Sequence, residues 1–135
     1  MLVADASVLV KCVLLEPGSP VARQLVTESS PTITPGHAQA ECVNAIWKYV
    51  HRGALSPDRA RDALEYLQSI PLRLRPLRKL TSDAFALALE YDHPVYDCYY
   101  LACAIQNQCA LATADERLYD LAQRVGFGER AVLVR

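Results

Sequence analysis

Leu2-Val3-Ala4-Asp5-Ala6-Ser7-Val8-Leu9 opens the chain: an apolar run, an acid, a small residue, a hydroxyl, then apolar residues again. A short strand over 2–4 that ends on Asp5, followed by a helix from Ser7 to about Leu15, accounts for this pattern. Ala110-Leu111-Ala112-Thr113-Ala114-Asp115 repeats the grammar far along the chain, with a strand over 110–113 and a helix over 115–125. Two strand–acid–helix units point to an open α/β sheet. In such sheets the ligand site is the crevice at the carboxyl ends of parallel strands.

The elements between these units alternate in the same way. Ser19-Pro20 starts a helix to about Glu28, with proline in its first turn. Thr32 to Thr34 reads as a strand. Thr34-Pro35-Gly36 then starts a helix to His51 that Gly53 stops. That start puts Glu41 about two turns into the helix. Ser56-Pro57-Asp58 is a cap with proline behind it and opens a helix to about Ser69. Leu72-Arg73-Leu74-Arg75 alternates with period 2, as a strand does, with Arg73 and Arg75 on one face. Thr81-Ser82-Asp83 caps a helix to about Tyr91, Pro94 precedes a helix over 95–108, and Ala131 to Val134 is a last strand. The order predicts one domain over 1–135, a parallel central sheet of about five strands flanked by helices and joined by right-handed crossovers.

Composition is that of a globular chain, with 52% hydrophobic and 21% charged residues in 135. The length suffices for a core without staples. The five cysteines, Cys12, Cys42, Cys98, Cys103 and Cys109, are odd in number and lack CxxC spacing, so they read as small buried hydrophobes in a reduced compartment rather than a zinc site. No signal peptide follows Met1 and no apolar run approaches ~20 residues. A cytoplasmic protein that meets no membrane is expected. The net charge of −1 argues against a broad basic surface. With four acids committed to a cation, 14 basic residues would face 11 of the 15 acidic ones, which leaves room for an anionic substrate.

Those four acids are Asp5, Glu41, Asp97 and Asp115. Each has an ordinary reading. Asp5 and Ser7 are good helix caps, and Asp115 or Glu116 caps the following helix. Glu41, Asn44 and Lys48 share one helix face that could simply be solvated. Asp97 could complement its helix dipole, yet it is the lone acid in an apolar, small-residue helix, and such a charge needs a partner. Taken together, the acids would converge on one sheet edge. Two carboxylates at ~4 Å repel by roughly 4 kcal/mol at an effective dielectric of about 20. An all-oxygen ligand set of this kind suits Mg²⁺ or Mn²⁺, and Thr113 could orient a carboxylate or a water beside it. His37 and His93 read as surface or rim residues. Arg73 and Arg75, with Arg78 and Lys79 nearby, read as edge charges or as phosphate contacts.

Asp5-Ala6-Ser7-Val8-Leu9, Glu41 with Asn44, Tyr96-Asp97 before a small-residue helix, and Thr113-Ala114-Asp115 together resemble the PIN-domain ribonucleases. Length, order and spacing are most similar to the VapC-type toxins of toxin–antitoxin modules, over essentially the whole chain. The resemblance implies a three-layer α/β/α fold with a central parallel sheet. It implies that Asp5, Glu41, Asp97 and Asp115 form an acidic Mg²⁺ or Mn²⁺ site, supported by Ser7, Asn44 and Thr113. It implies a metal-dependent endoribonuclease that hydrolyses RNA phosphodiesters, forms a homodimer and is neutralised by a VapB-like antitoxin. Position 7 carries Ser where the family often has Thr, which keeps the hydroxyl.

Rival readings are weaker. A phosphatase with an aspartyl intermediate usually carries a second acid two residues after the first, where this chain has Ser7. A response-regulator receiver needs an acidic pair after its first strand and an acceptor Asp after its third, and neither is present. A catalytically inactive RNA- or protein-binding module of the same fold is the alternative function, and the four intact acids weigh against it.

Overall fold

The computed structural model describes residues 1–135. The elements run β1 (Leu2–Ala4), α1 (Ala6–Val13), α2 (Ser19–Glu28), β2 (Thr32–Pro35), α3 (Ala38–His51), α4 (Pro57–Ser69), β3 (Leu72–Arg75), α5 (Thr81–Tyr91), α6 (Val95–Gln106), β4 (Ala110–Thr113), α7 (Glu116–Arg124) and β5 (Ala131–Leu133). Short 3₁₀ turns at Leu77–Lys79 and Gly128–Arg130 precede α5 and β5.

All strand pairs are parallel, in the order β3-β2-β1-β4-β5. The chain builds outward from β1 through β2 to β3, then returns to the other side of β1. The topological switch therefore lies between β1 and β4. There Leu2 is level with Ala110, Val3 with Leu111 and Ala4 with Ala112, so Asp5 and Thr113 leave the sheet side by side. Because parallel crossovers are right-handed, reversing direction across the sheet moves the connecting helices to the opposite face. Accordingly α1 packs with α2, α3 and α4, whereas α6 packs with α5 and α7 and lies across β1, β2 and β4.

The three central strands have no solvent face, which is why they read as unbroken apolar or small residues rather than alternating ones. Val3, Ile33 and Leu111 are fully buried, within one apolar cluster that also takes in Leu9, Tyr100 and Leu101. The edge strand β3 departs from its sequence pattern. Leu72-Arg73-Leu74-Arg75 alternates, but Arg73 and Leu74 are exposed while Leu72 and Arg75 are half-buried. No helix packs closely on either face of β3, so neither face is held as the inside.

Helix starts differ from expectation where they matter most. β2 runs on through Pro35, level with Arg75, and the Gly36 amide donates to the Arg75 carbonyl at 2.9 Å. α3 consequently begins at Ala38, and Glu41 lies in its first turn rather than two turns in. Asp115 is the N-cap of α7, not its first residue, and α6 stops at Gln106 because Gln108 turns left-handed at φ 52°.

The α1–α2 turn depends on Gly18. Its φ is +88°, and a Cβ there would stand 2.8 Å from the Arg135 backbone. Gly18→Ala is expected to destabilise the fold by about 1–3 kcal/mol, read as a lower urea midpoint with an unchanged slope.

Candidate metal centre at the carboxyl edge of the sheet

Asp5 is buried at the switch point, 4% exposed. As N-cap of α1 it accepts through Oδ1 from the Val8 amide at 3.0 Å and from Ser7 Oγ at 2.5 Å. Thr113 Oγ1 donates to Oδ2 across the β1–β4 junction. The proton directions are fixed by the next bonds out. Ala114 N donates to Ser7 Oγ at 2.8 Å and Asp115 N to Thr113 Oγ1 at 3.0 Å, so each hydroxyl keeps its own proton for Asp5. Burial still pushes Asp5 up to about 6, against the pull of Ser7, Thr113 and Val8, and the Asp115 charge pushes the same way. Asp5 thus carries a desolvated carboxylate whose hydrogen bonds do not fully compensate its burial.

Glu41 reaches the site from the first turn of α3. Tyr100 Oη, on buried α6, donates to its Oε1 at 3.1 Å, and His37 Nε2 lies 2.9 Å from the same oxygen. His37 Nε2 is also 3.1 Å from the Tyr96 carbonyl. The His37 ring packs against Tyr100 and Tyr99 with centroids 4.7 and 5.3 Å apart. Burial, then the Glu41 and Asp5 charges, push the Tyr100 hydroxyl far above its usual range, so it serves as a donor. Glu41 also walls a cleft of about 460 Å³ with Ser7, Lys11, Asn44, Lys48 and Ala114.

Asp97, in the first turn of α6, is held by His93, with Nε2 2.8 Å from Oδ2. Asp115 accepts from the Arg117 amide at 2.8 Å. Its neighbour Glu116 turns away and lies 3.5 Å from the Arg135 guanidinium with its side chain 71% exposed.

Two links between the acids follow from the fold, one direct and one through shared neighbours. Asp5 feels Asp115, and the buried Cys42 thiol and Tyr100 hydroxyl both feel Asp5 and Glu41. His37 bonds the carbonyl of Tyr96, the residue before Asp97, whose own carboxylate is paired with His93. No three His, Cys, Asp or Glu side chains form a ready-made ligand group; each carboxylate is turned to its own local donors. Ser7 and Thr113 sit in the Asp5 network and Asn44 on the cleft wall. Arg73 and Arg75 are not brought in: β3 is separated from β1 by β2. All five cysteines are free and buried, and burial raises Cys12 to about 11 and Cys42 to about 12, so they are packing residues.

His37 and His93 lie inside the rim rather than on it, with side chains 12% and 10% exposed. The signal that could have found them is a shared spacing, His37-x-x-x-Glu41 and His93-x-x-x-Asp97, each at a helix start. Residues four apart on a helix face one another. Tyr100 gave no such signal, since it sits in a helix that reads as core.

The donor set is all oxygen, and its most buried member is underpaired, which fits a hard divalent cation. The metal-free protein should show the strain. A carboxyl raised to about 6 in the fold from 3.8 unfolded binds its proton more tightly when folded, so stability falls as pH rises from about 4 to about 6. Asp5→Asn keeps the cap acceptor and removes the charge. It is expected to raise the melting temperature of the metal-free protein at pH 7 by several degrees, for a gain of about 1–3 kcal/mol, and to flatten the fall between pH 4 and 6. Melts across that range would check both.

Comparison with known proteins places this geometry in a family. The profile of the PIN domain matches residues 2–124. The chain is 34% identical over 119 residues to "Ribonuclease VapC3" of Pyrobaculum aerophilum, covering 87% of this chain and 91% of that one. The crystal structure of PAE2754 from Pyrobaculum aerophilum superimposes with a TM-score of 0.72 at 20% identity, over 98% of this chain and 88% of the other. A chain of a toxin–antitoxin complex from Klebsiella pneumoniae aligns with a TM-score of 0.66 at 17% identity, over 100% of this chain and 98% of its own. A sheet that switches direction at a buried acid, with this match across most of its length, shows that the chain belongs to the PIN domain family, in its VapC group.

Proposed function

We propose that this chain is a metal-dependent endoribonuclease, a single PIN-like domain over residues 1–135 that acts as the toxin of a toxin–antitoxin module. The observation that carries the proposal is the buried carboxylate of Asp5 at the switch point, supported by Asp115 at the cap of α7 and by Glu41 and Asp97 in the first turns of α3 and α6. Asp5, Asp97 and Asp115, completed by Glu41, would hold Mg²⁺ or Mn²⁺. When bound, such an ion polarises phosphoryl oxygens and makes water a stronger nucleophile at neutral pH.

The chain's own residues supply orientation. Ser7 and Thr113 hold both oxygens of Asp5, which leaves it one way to face an ion. His93 does the same for one oxygen of Asp97. Glu41, half-exposed on the cleft, is placed to orient the attacking water by accepting its hydrogen bond. Lys48 and Asn44 line the same cleft and would position a phosphate there. Arg73, exposed on β3, would meet RNA only beyond the scissile group, as would the half-buried Arg75. A VapB-like antitoxin that reaches in with Arg or Lys would offset the crowded negative charge. A second copy of the chain completes the assembly, in the cytoplasm. No helix is long and apolar enough to cross a membrane.

The test is cleavage of labelled total RNA by protein freed of any bound antitoxin, in Mn²⁺ or Mg²⁺. Cutting should vanish in EDTA and fall at least about a hundredfold in Asp97→Asn, whose amide oxygen can still accept from His93, so its melting temperature should stay close to wild type. No cutting by folded wild-type protein would sink the proposal and favour a binding module.

A further inference from the structure

We propose that Tyr100 and His37 are positioning residues that together fix the Glu41 carboxylate at the cleft; the inference rests on the nuclease reading above and names two further members of the same site. Tyr100 is 1% exposed and lies in α6 among Cys98, Leu101, Ala102 and Cys103, all buried. Phe would fill that space equally well. The hydroxyl bonds Glu41, 59 residues away in sequence. A buried hydroxyl is costly unless it is satisfied, so its presence in an apolar helix is explained by the carboxylate it holds.

His37 makes the same case from the other side. Nε2 faces two acceptors, Glu41 Oε1 at 2.9 Å and the Tyr96 carbonyl at 3.1 Å. Neither has a hydrogen to give, so the ring hydrogen belongs on Nε2. The other nitrogen, Nδ1, is buried without a partner. An unsatisfied buried nitrogen works against the fold, so the ring is kept for what Nε2 and its packing against Tyr99 and Tyr100 achieve.

The consequence is geometric. Glu41 is the most exposed of the acids drawn toward Asp5, with its side chain 39% exposed, and a free glutamate side chain samples many rotamers. Both donors converge on Oε1, one from the helix that carries Glu41 and one from α6. That convergence pins the carboxylate to one orientation and leaves Oε2 to face an ion or a water. It also ties the α3 acid to the α6 acid, because Tyr100 and Asp97 share one helix, three residues apart.

The experiment uses the full chain, stripped of metal, with Mn²⁺ as the probe. Mn²⁺ affinity is read by titration calorimetry, and the rate of cutting labelled total RNA is read at saturating Mn²⁺. Tyr100→Phe and His37→Leu should each bind Mn²⁺ about tenfold more weakly and cut about tenfold more slowly. His37→Gln keeps an N–H donor and should recover most of the loss. In a Glu41→Ala background, which removes the acceptor that Tyr100 holds, Tyr100→Phe should add nothing to the loss of Mn²⁺ affinity, because the two act as one unit. Variants that melt earlier yet bind and cut like wild type would overturn the proposal, as would a Tyr100→Phe loss of Mn²⁺ affinity that persists undiminished in Glu41→Ala. A wild type that neither binds Mn²⁺ nor cuts would overturn the nuclease reading and this one with it, whereas a wild type that does both beside unaffected variants overturns this one alone.

Discussion

Burying a carboxylate at the junction of β1 and β4 constrains everything around it. Desolvation favours the protonated form of Asp5 strongly enough to outweigh three hydrogen bonds. A core position that costs this much would be lost to an apolar residue unless the charge were used. The rest of the site can be read as the means of keeping that charge. The register that sets Ala4 beside Ala112 brings Thr113 within reach of Asp5. The cap geometry of α1 supplies Val8 N and Ser7 Oγ. The amides of Ala114 and Asp115 then set the direction of both hydroxyl protons. The network spans two strands and two helix starts, so a shift of β1 against β4 would break it at once.

The helices contribute through their ends. Glu41 and Asp97 both occupy first turns, where the positive end of the helix dipole favours an acid. That field alone is diffuse and does not choose a rotamer. A histidine four residues upstream makes the choice in each case: His37 for Glu41 and His93 for Asp97. Asp5 and Asp115 are instead held by hydroxyls and backbone amides, as caps. The capping role and the ligand role therefore do not compete at these positions. A cap uses one carboxylate oxygen and fixes the side chain, and a fixed side chain is what an ion site requires.

Much of this was legible from residues alone. The runs of apolar and small residues at 2–4 and 110–113 mark central strands, and the acid that caps the helix after each run lies at the carboxyl edge. The helix starts at Ser19 and Pro57 followed from a proline in the first turn, joined at the second by the Ser56 cap. What failed was governed by long-range pairing. Pro35 stays in β2 because it is level with Arg75, and no local signal says so; the start of α3 moved with it. The alternation of β3 did not predict burial, because no helix packs closely on either of its faces. His37 and His93 read as rim residues until the acid one helical turn on is counted as the partner of each. Tyr100 could not be found at all, since its partner comes from another helix.

That last case bears on how an apolar helix should be read. α6 combines six buried residues, Tyr100 among them, with a single acid, and hydropathy alone would class it as core. Asp97 and Tyr100 are three residues apart and serve different carboxylate centres: Asp97 is one, and Tyr100 holds another. Such a helix is a rigid rod carrying chemistry at one end, and its apolar packing across β1, β2 and β4 is what makes that end exact in position. The core and the site are thus not separate layers of this protein. The small residues that let α6 lie close to the sheet bring Tyr100 within reach of Glu41, and a bulkier substitution at Ala102 or Ala104, both fully buried, would lift the rod and loosen an acid on a different element.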